Sequence, residues 1–150
     1  LQIKNRESFR PFAPAVLEED AHLYFNMKGT SPYMLQVHQV NKKYLLPEDK
    51  SYRNFTQNEK LYTIKSTIPA VTHVDYSARI QTVKQSEHPL FWKLINEFKT
   101  ITGVSLIINT SFNVKDEPIV GSPEDAYACF LKSGMDVLII ENHLLFKKMM

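Results

Sequence analysis

An α/β layered fold with a mixed sheet and flanking helices, in a single domain, is what this 150-residue sequence predicts. Three observations carry the prediction. Helix-like and strand-like segments alternate through the second half, the order that layered α/β folds need. Two apolar runs, Val104-Ser105-Leu106-Ile107-Ile108 and Met135-Asp136-Val137-Leu138-Ile139-Ile140, are short and rich in branched residues, as buried strands are. Before the first of them, Leu90, Phe91, Leu94, Ile95 and Phe98 recur at helical spacing on one face.

In chain order, Leu1 to Arg6 alternates apolar and polar, which predicts a strand edge or strand end. Pro11 and Pro14 forbid a helix interior, and Ala15-Val16-Leu17 reads as a strand. Glu18 to Phe25 reads as a short helix, Gly29 to Pro32 as a loop, and Tyr33 to Val40 as an alternating strand. Asn41 to Ser66 is polar and poorly periodic, so it is expected to be a long excursion serving as a lid or a contact loop. Ser77 to Val83 alternates Ala78, Ile80 and Thr82 against Arg79, Gln81 and Val83, which predicts a strand. Pro89 begins a helix at an early position where a missing donor costs little, and Gly103 is its expected C-cap. Ser122-Pro123-Glu124-Asp125 starts another helix, with Ser122 as N-cap, and its apolar stripe runs through Ala126, Phe130 and Leu131 to Gly134.

Composition narrows the function classes. The net charge is +2, too small to draw the chain to nucleic acid. The one cysteine, Cys129, excludes an internal disulfide and any CxxC metal site, and its apolar setting makes it a core residue. No run is long enough to span a membrane and no signal peptide stands at the start, so a cytoplasmic location is expected. The chain begins at Leu1 rather than Met, and its first residues read as part of a packed element. It is therefore expected to be a piece cut from a longer polypeptide.

Four groups of residues could carry chemistry. Asn109-Thr110-Ser111-Phe112-Asn113 follows the strand ending at Ile108. Open α/β sheets bind ligands outside the carboxyl ends of their strands, where these amides and hydroxyls would hold a polar anion. The same residue types also make turns by bonding their own backbone. Lys4, Arg6 and Arg10 place cations together if the opening is extended, which suits a phosphate chain or a plain solvated edge. Thr72-His73-Val74-Asp75 lacks further ligands for a closed metal site, so His73 is expected to be hydrogen-bonded into structure. Arg79 sits among small and apolar neighbours and should have an acidic partner or an anionic ligand. There are four glycines and no glycine-rich phosphate loop, so any nucleotide would be held by side chains. Trp92 is expected to pack in a core or interface. His22, His38, His88 and His143 carry no assignment.

Several of these segments together resemble the C-terminal domain of the O-carbamoyltransferases, the nodulation-protein-U-like and antibiotic-tailoring enzymes. The resemblance runs through Lys4-x-Arg6-Glu7 with Arg10-Pro11-Phe12-Ala13-Pro14-Ala15-Val16-Leu17. It continues in Thr72-His73-Val74-Asp75-x-Ser77-Ala78-Arg79-Ile80-Gln81-Thr82-Val83. The last block is Asn109-Thr110-Ser111-Phe112-Asn113-Val114 with Glu117-Pro118-Ile119-Val120 and Ser122-Pro123-Glu124-Asp125-Ala126. The blocks keep the family's order and cover nearly the whole chain.

The resemblance implies a YrdC-like twisted sheet and a Lys-x-Arg plus Ser-x-Asn signature on Lys4, Arg6, Ser111 and Asn113. It implies that the domain binds ATP, with Mg²⁺ accompanying it, and carbamoyl phosphate, and makes carbamoyl-adenylate with release of pyrophosphate. The carbamoyl group is then passed to an acceptor hydroxyl by an N-terminal ASKHA-type domain, which is absent here. Arg10, Arg79 and Asn109 join the signature residues as expected ligands of ATP and carbamoyl phosphate. Tyr76 stands where relatives usually carry Gly, and Lys115-Asp116 where a Gly commonly precedes the Glu. The excursion from Asn41 to Ser66 is also longer than the family leads one to expect. A second reading is a non-catalytic nucleotide- or RNA-binding module, with Tyr33, Tyr44, Tyr52 and Phe55 as stacking candidates.

Overall fold

A central strand with a proline at its second position organises the sheet. In the computed structural model, which describes residues 3–4, 10–47 and 51–147, β1 spans Ala13–Leu17. Pro14 has no N–H to give, yet it sits in a strand flanked on both sides. Pairing with the third strand begins only at Ala15, so Pro14 faces a partner on one side alone, at Ile108. This is why the strand starts two residues before the expected Ala15.

The remaining elements are α1 (Ala21–Tyr24), β2 (Gln36–Gln39), α2 (Gln57–Tyr62), β3 (Ser77–Val83), α3 (Pro89–Thr102), β4 (Leu106–Asn109), α4 (Pro123–Lys132), β5 (Val137–Ile140) and β6 (His143–Phe146). The mixed α/β architecture with flanking helices is as expected. The chain divides into two compact units. One comprises residues 9–110, and the other joins residues 1–8 to residues 111–150.

In the first unit the strand order is β2-β3-β1-β4. Only β1 and β3 run parallel, while β2 and β4 are antiparallel to their neighbours. Register sorts the side chains into two faces. On one, Val16, Ala78, Ile80 and Leu106 meet Tyr24, Phe25, Met27 and Val40. On the other, Ala15, Leu17 and Val83 meet Ile95 of α3, with Phe91, Trp92 and Ile107 packed around them. Burying Ile95 completely contributes about 2 kcal/mol relative to leaving it in water. The Trp92 indole N–H donates to Glu19 at 2.9 Å and ties α3 to the turn after β1. Lys99 pairs with Asp20 at 2.7 Å. Gly103 caps α3 in the left-handed region, φ 77°, as expected.

Only part of the predicted apolar face of α3 is used. Leu90 stays 85% exposed and Leu94 56% exposed, because α3 lies over β1 and β4 and its Phe91–Ile95 edge takes the contact. The excursion is not structureless. Thr56 and Glu59 form a reciprocal capping box that starts α2, with Thr56 N donating to Glu59 Oε2 at 2.7 Å and Glu59 N to Thr56 Oγ1 at 3.3 Å. Tyr44 stacks on Tyr24 at 4.9 Å and so belongs to the core rather than to a nucleic-acid platform.

In the second unit α4 begins as expected, with Asp125 N donating to Ser122 Oγ at 3.1 Å, and Cys129 is buried. The run ending at Ile140 is not a buried strand. β5 and β6 form a two-stranded antiparallel hairpin that pairs Val137 with Phe146 and Ile139 with Leu144. These four side chains share one face and are exposed, while Leu138 on the other face is buried. A two-stranded sheet has too little partner surface to cover both faces. The expected strand over Leu1 to Arg6 lies mostly outside the described residues, and the two described there, Ile3 and Lys4, are in a turn. Among the described residues no helix is long and apolar enough to cross a membrane.

Candidate functional site

Lys4 reaches across 107 residues of sequence to the turn after β4. Its ammonium donates to the carbonyl oxygens of Ser111 at 2.6 Å and Asn113 at 2.7 Å, and to Asn113 Oδ1 at 2.7 Å. Ser111 Oγ lies 3.3 Å away. An ammonium has three donors, so it holds the turn by converging on oxygens that would otherwise repel one another. The turn adds bonds of its own. Ser111 Oγ donates to Asn113 Oδ1 at 2.7 Å, and Asn113 Nδ2 donates to the Glu117 carbonyl at 2.9 Å. Val120 N closes back on the Phe112 carbonyl at 2.9 Å. Ser111 is exposed and Lys4 half-buried, so the cluster is open to a ligand. The signature residues Lys4, Ser111 and Asn113 are thus one cluster, all within the second unit. Arg6 lies outside the described residues.

The other expected ligands lie in the first unit. Arg10 is exposed, three residues before β1. Arg79 of β3 sits opposite Val37 of β2 and is exposed, so the argument from costly burial does not hold for it. Alternation on β3 turns Ala78 and Ile80 into the core and Arg79 and Gln81 to the other face. Asn109 closes β4 opposite Ala13, and its Nδ2 donates to Gln81 Oε1. Arg79, Gln81 and Asn109 therefore form a polar patch floored by Ala13, beside the part of the same face that α3 covers. The expectation placed Asn109 at the carboxyl end of a buried strand of an open α/β sheet. β4 is instead an edge strand antiparallel to β1, and Asn109 lies beside the beginning of β1.

His73 is built into the turn before β3, as expected. Its Nδ1 lies 3.0 Å from Ser77 Oγ, and its N–H donates to the Ser77 carbonyl at 2.7 Å. The Ser77 hydroxyl donates to Asp75 Oδ1 at 2.6 Å and holds that carboxyl below its ordinary range, with the Ser77 N–H and the nearby His73 adding to the effect. The two departures from the family pattern share one geometry. Tyr76 and Asp116 each adopt φ 65°. Both positions hold the left-handed backbone that glycine takes without strain, so each of these side chains is held there at a local conformational cost. Among the described residues, no group of three or more His, Cys, Asp or Glu side chains could hold a metal ion.

Gln81 was not among the expected site residues. The signal was available, since a period of two from Arg79 puts it on the same face of β3.

Fold and site define a mixed α/β module with a lysine-organised Ser-x-Asn turn and a separate Arg–Gln–Asn patch on its sheet. The chain belongs to the carbamoyltransferase C-terminus family, whose model matches residues 1–147. It is similar to an uncharacterized protein of Synechocystis, 48% identical over 98% of this chain and 24% of that protein. It is similar to nodulation protein NolNO of Sinorhizobium fredii, 38% identical over 97% of this chain and 19% of that protein. It also resembles the 3'-hydroxymethylcephem-O-carbamoyltransferase of Amycolatopsis lactamdurans, 30% identical over 93% of this chain and 22% of that enzyme. The chain spans about a quarter or less of the length of these relatives.

Proposed function

We propose that this chain performs the activating step of an O-carbamoyltransferase, making carbamoyl-adenylate from ATP and carbamoyl phosphate. Water splits carbamoyl phosphate into carbamate and phosphate. A carbamate oxygen attacks the α-phosphorus of ATP, the new O–P bond forms, and the α–β bridging P–O bond breaks to release pyrophosphate. The carbamoyl group then passes to an acceptor hydroxyl in an N-terminal ASKHA-type domain of the same protein. Such a reaction gathers negative charge and asks mainly for positioning and electrostatic stabilisation. Lys4, Arg6, Arg10 and Arg79 supply cations for phosphate oxygens. Ser111, Asn113 and Asn109 supply neutral donors and acceptors for the carbamoyl group. Mg²⁺ accompanies ATP, held by its phosphates and water.

The observation that carries this reading is the convergence of Lys4 on Ser111 and Asn113. Residues this far apart in sequence are joined by bonds that use the polar atoms of each. Family membership and the named carbamoyltransferase relative support it.

Calorimetric titration with ATP, with and without carbamoyl phosphate, tests the reading, together with a pyrophosphate-release assay. We expect binding of ATP to change when carbamoyl phosphate is present. Arg6→Ala and Ser111→Ala should each abolish pyrophosphate release while leaving the folded chain intact. Retained release in both variants would overturn the site assignment. Steeply salt-dependent binding to polynucleotide in place of ATP would favour an RNA-binding module instead.

A further inference from the structure

Asn109 does not choose the orientation of its own amide. The constraint starts at Pro32, whose carbonyl can only accept and whose nitrogen has no hydrogen. Gln81 Nε2 donates to that carbonyl at 3.2 Å. A flipped Gln81 amide would set oxygen against oxygen, so Gln81 Oε1 must face the other way. Oε1 there accepts from Asn109 Nδ2. A flipped Asn109 would again oppose two oxygens. The relay therefore leaves Asn109 Oδ1 as an outward acceptor, and among the described residues no group donates to it. Its surroundings are the Ala13 floor and the exposed Arg79 on the next strand but one.

We infer that Gln81 is a positioning residue that turns Asn109 Oδ1 outward to accept a hydrogen bond from an amino group of the substrate. This rests on the reading of the chain as a carbamoyl-adenylate-forming domain. Two amino groups in those substrates have the required chemistry, an NH₂ beside an acceptor atom: the carbamoyl NH₂ and the 6-amino group of adenine. An analogue without the amino group leaves Oδ1 unpaired, and a site built to bond an N–H rejects such analogues. Without Gln81 the Asn109 amide can turn over and present its own N–H₂ instead, and the selectivity is lost.

The experiment is calorimetric binding of four probes to the 150-residue chain: carbamoyl phosphate against acetyl phosphate, and ATP against inosine triphosphate. The unaltered chain should reject one analogue of the two pairs, and that pair names the source of the amino group. In Gln81→Leu the ratio for that pair should fall about tenfold, roughly one neutral hydrogen bond, while the other ratio holds. Gln81→Met, unbranched and close in length, is read in parallel in case Leu disturbs the strand. Asn109→Ala should lose the same selectivity, and adding Gln81→Leu to it should cost nothing more, since Gln81 acts only through Asn109. Unchanged selectivity in both Gln81 variants, or no selectivity in the unaltered chain, overturns the inference while ATP and carbamoyl phosphate still bind. Failure of the unaltered chain to bind either substrate overturns the proposed function and this inference together.

Discussion

Replacing Lys4 by Met removes the ammonium and keeps most of the side-chain length, which isolates what the ammonium does for the Ser111–Val120 turn. Three of its contacts are 2.6 to 2.7 Å long, to two backbone carbonyls and to Asn113 Oδ1. Buried bonds to a charged donor contribute about 1.5–3 kcal/mol each. Lys4 is only half-buried and Ser111 is exposed, so each is worth nearer 0.5–1 kcal/mol, as for partly exposed charge pairs. The sum is about 1.5–3 kcal/mol of local stability, or roughly ten- to a hundredfold in the opening equilibrium of the turn. Amide hydrogen exchange reads this directly. The Val120 N–H, bonded to Phe112, and the Glu117 N–H, bonded to Val114, should exchange faster by that factor. The Gly103 N–H at the end of α3 should not change. Lys4→Arg should recover only part of the protection, since a planar fork cannot converge on these oxygens as an ammonium does. Unchanged exchange at Glu117 and Val120 in Lys4→Met would refute the claim that Lys4 holds the turn.

Two further outcomes follow from the first unit. Burial pushes the Asp20 carboxyl up, but bonds from Lys99 and Ser105 and the Lys99 charge outweigh it and leave it below its ordinary 3.8. A lowered carboxyl stabilises the fold fully above the unfolded value and loses that contribution as pH falls through the folded one. Melting temperature should therefore drop on acidification below about pH 4, and Lys99→Ala should cost about 0.5–1 kcal/mol at neutral pH, since the Lys99 side chain is 43% exposed and screened, and flatten the acid dependence. Gly103→Ala should destabilise by about 1–2 kcal/mol, because the residue holds φ 77° with nothing within 4 Å of an added Cβ, so the cost is conformational alone. Denaturant unfolding measures it, and an unchanged midpoint would count against the left-handed cap.

The candidate site was legible in pieces. The residue types of Lys4, Ser111 and Asn113 were readable through the family resemblance, but their meeting was not, since no local pattern links positions so far apart. Gln81 was legible by alternation from Arg79, but its role depends on the Asn109 and Pro32 partners that only the folded chain brings to it. The Thr56–Glu59 capping box was likewise present in the sequence, hidden in a stretch whose polarity resembled a plain loop.

By itself the sequence determined β3 to the residue, the start and cap of α3, and the Ser122 N-cap of α4. The helix ends depend on dihedral preferences and hydrogen bonds closed within a few residues, and β3 was legible from its alternation of faces. Tertiary structure alone decided that β4 is an antiparallel edge, that β5 pairs with β6 and leaves one apolar face in water, and that Pro14 lies inside a central strand. It also decided the left-handed backbone at the non-glycine residues Met34, Tyr76, Asp116 and Glu141. An apolar run states only that a segment prefers burial. Which neighbour supplies that burial, and on how many faces, is settled by pairings between distant segments that no short window of sequence contains.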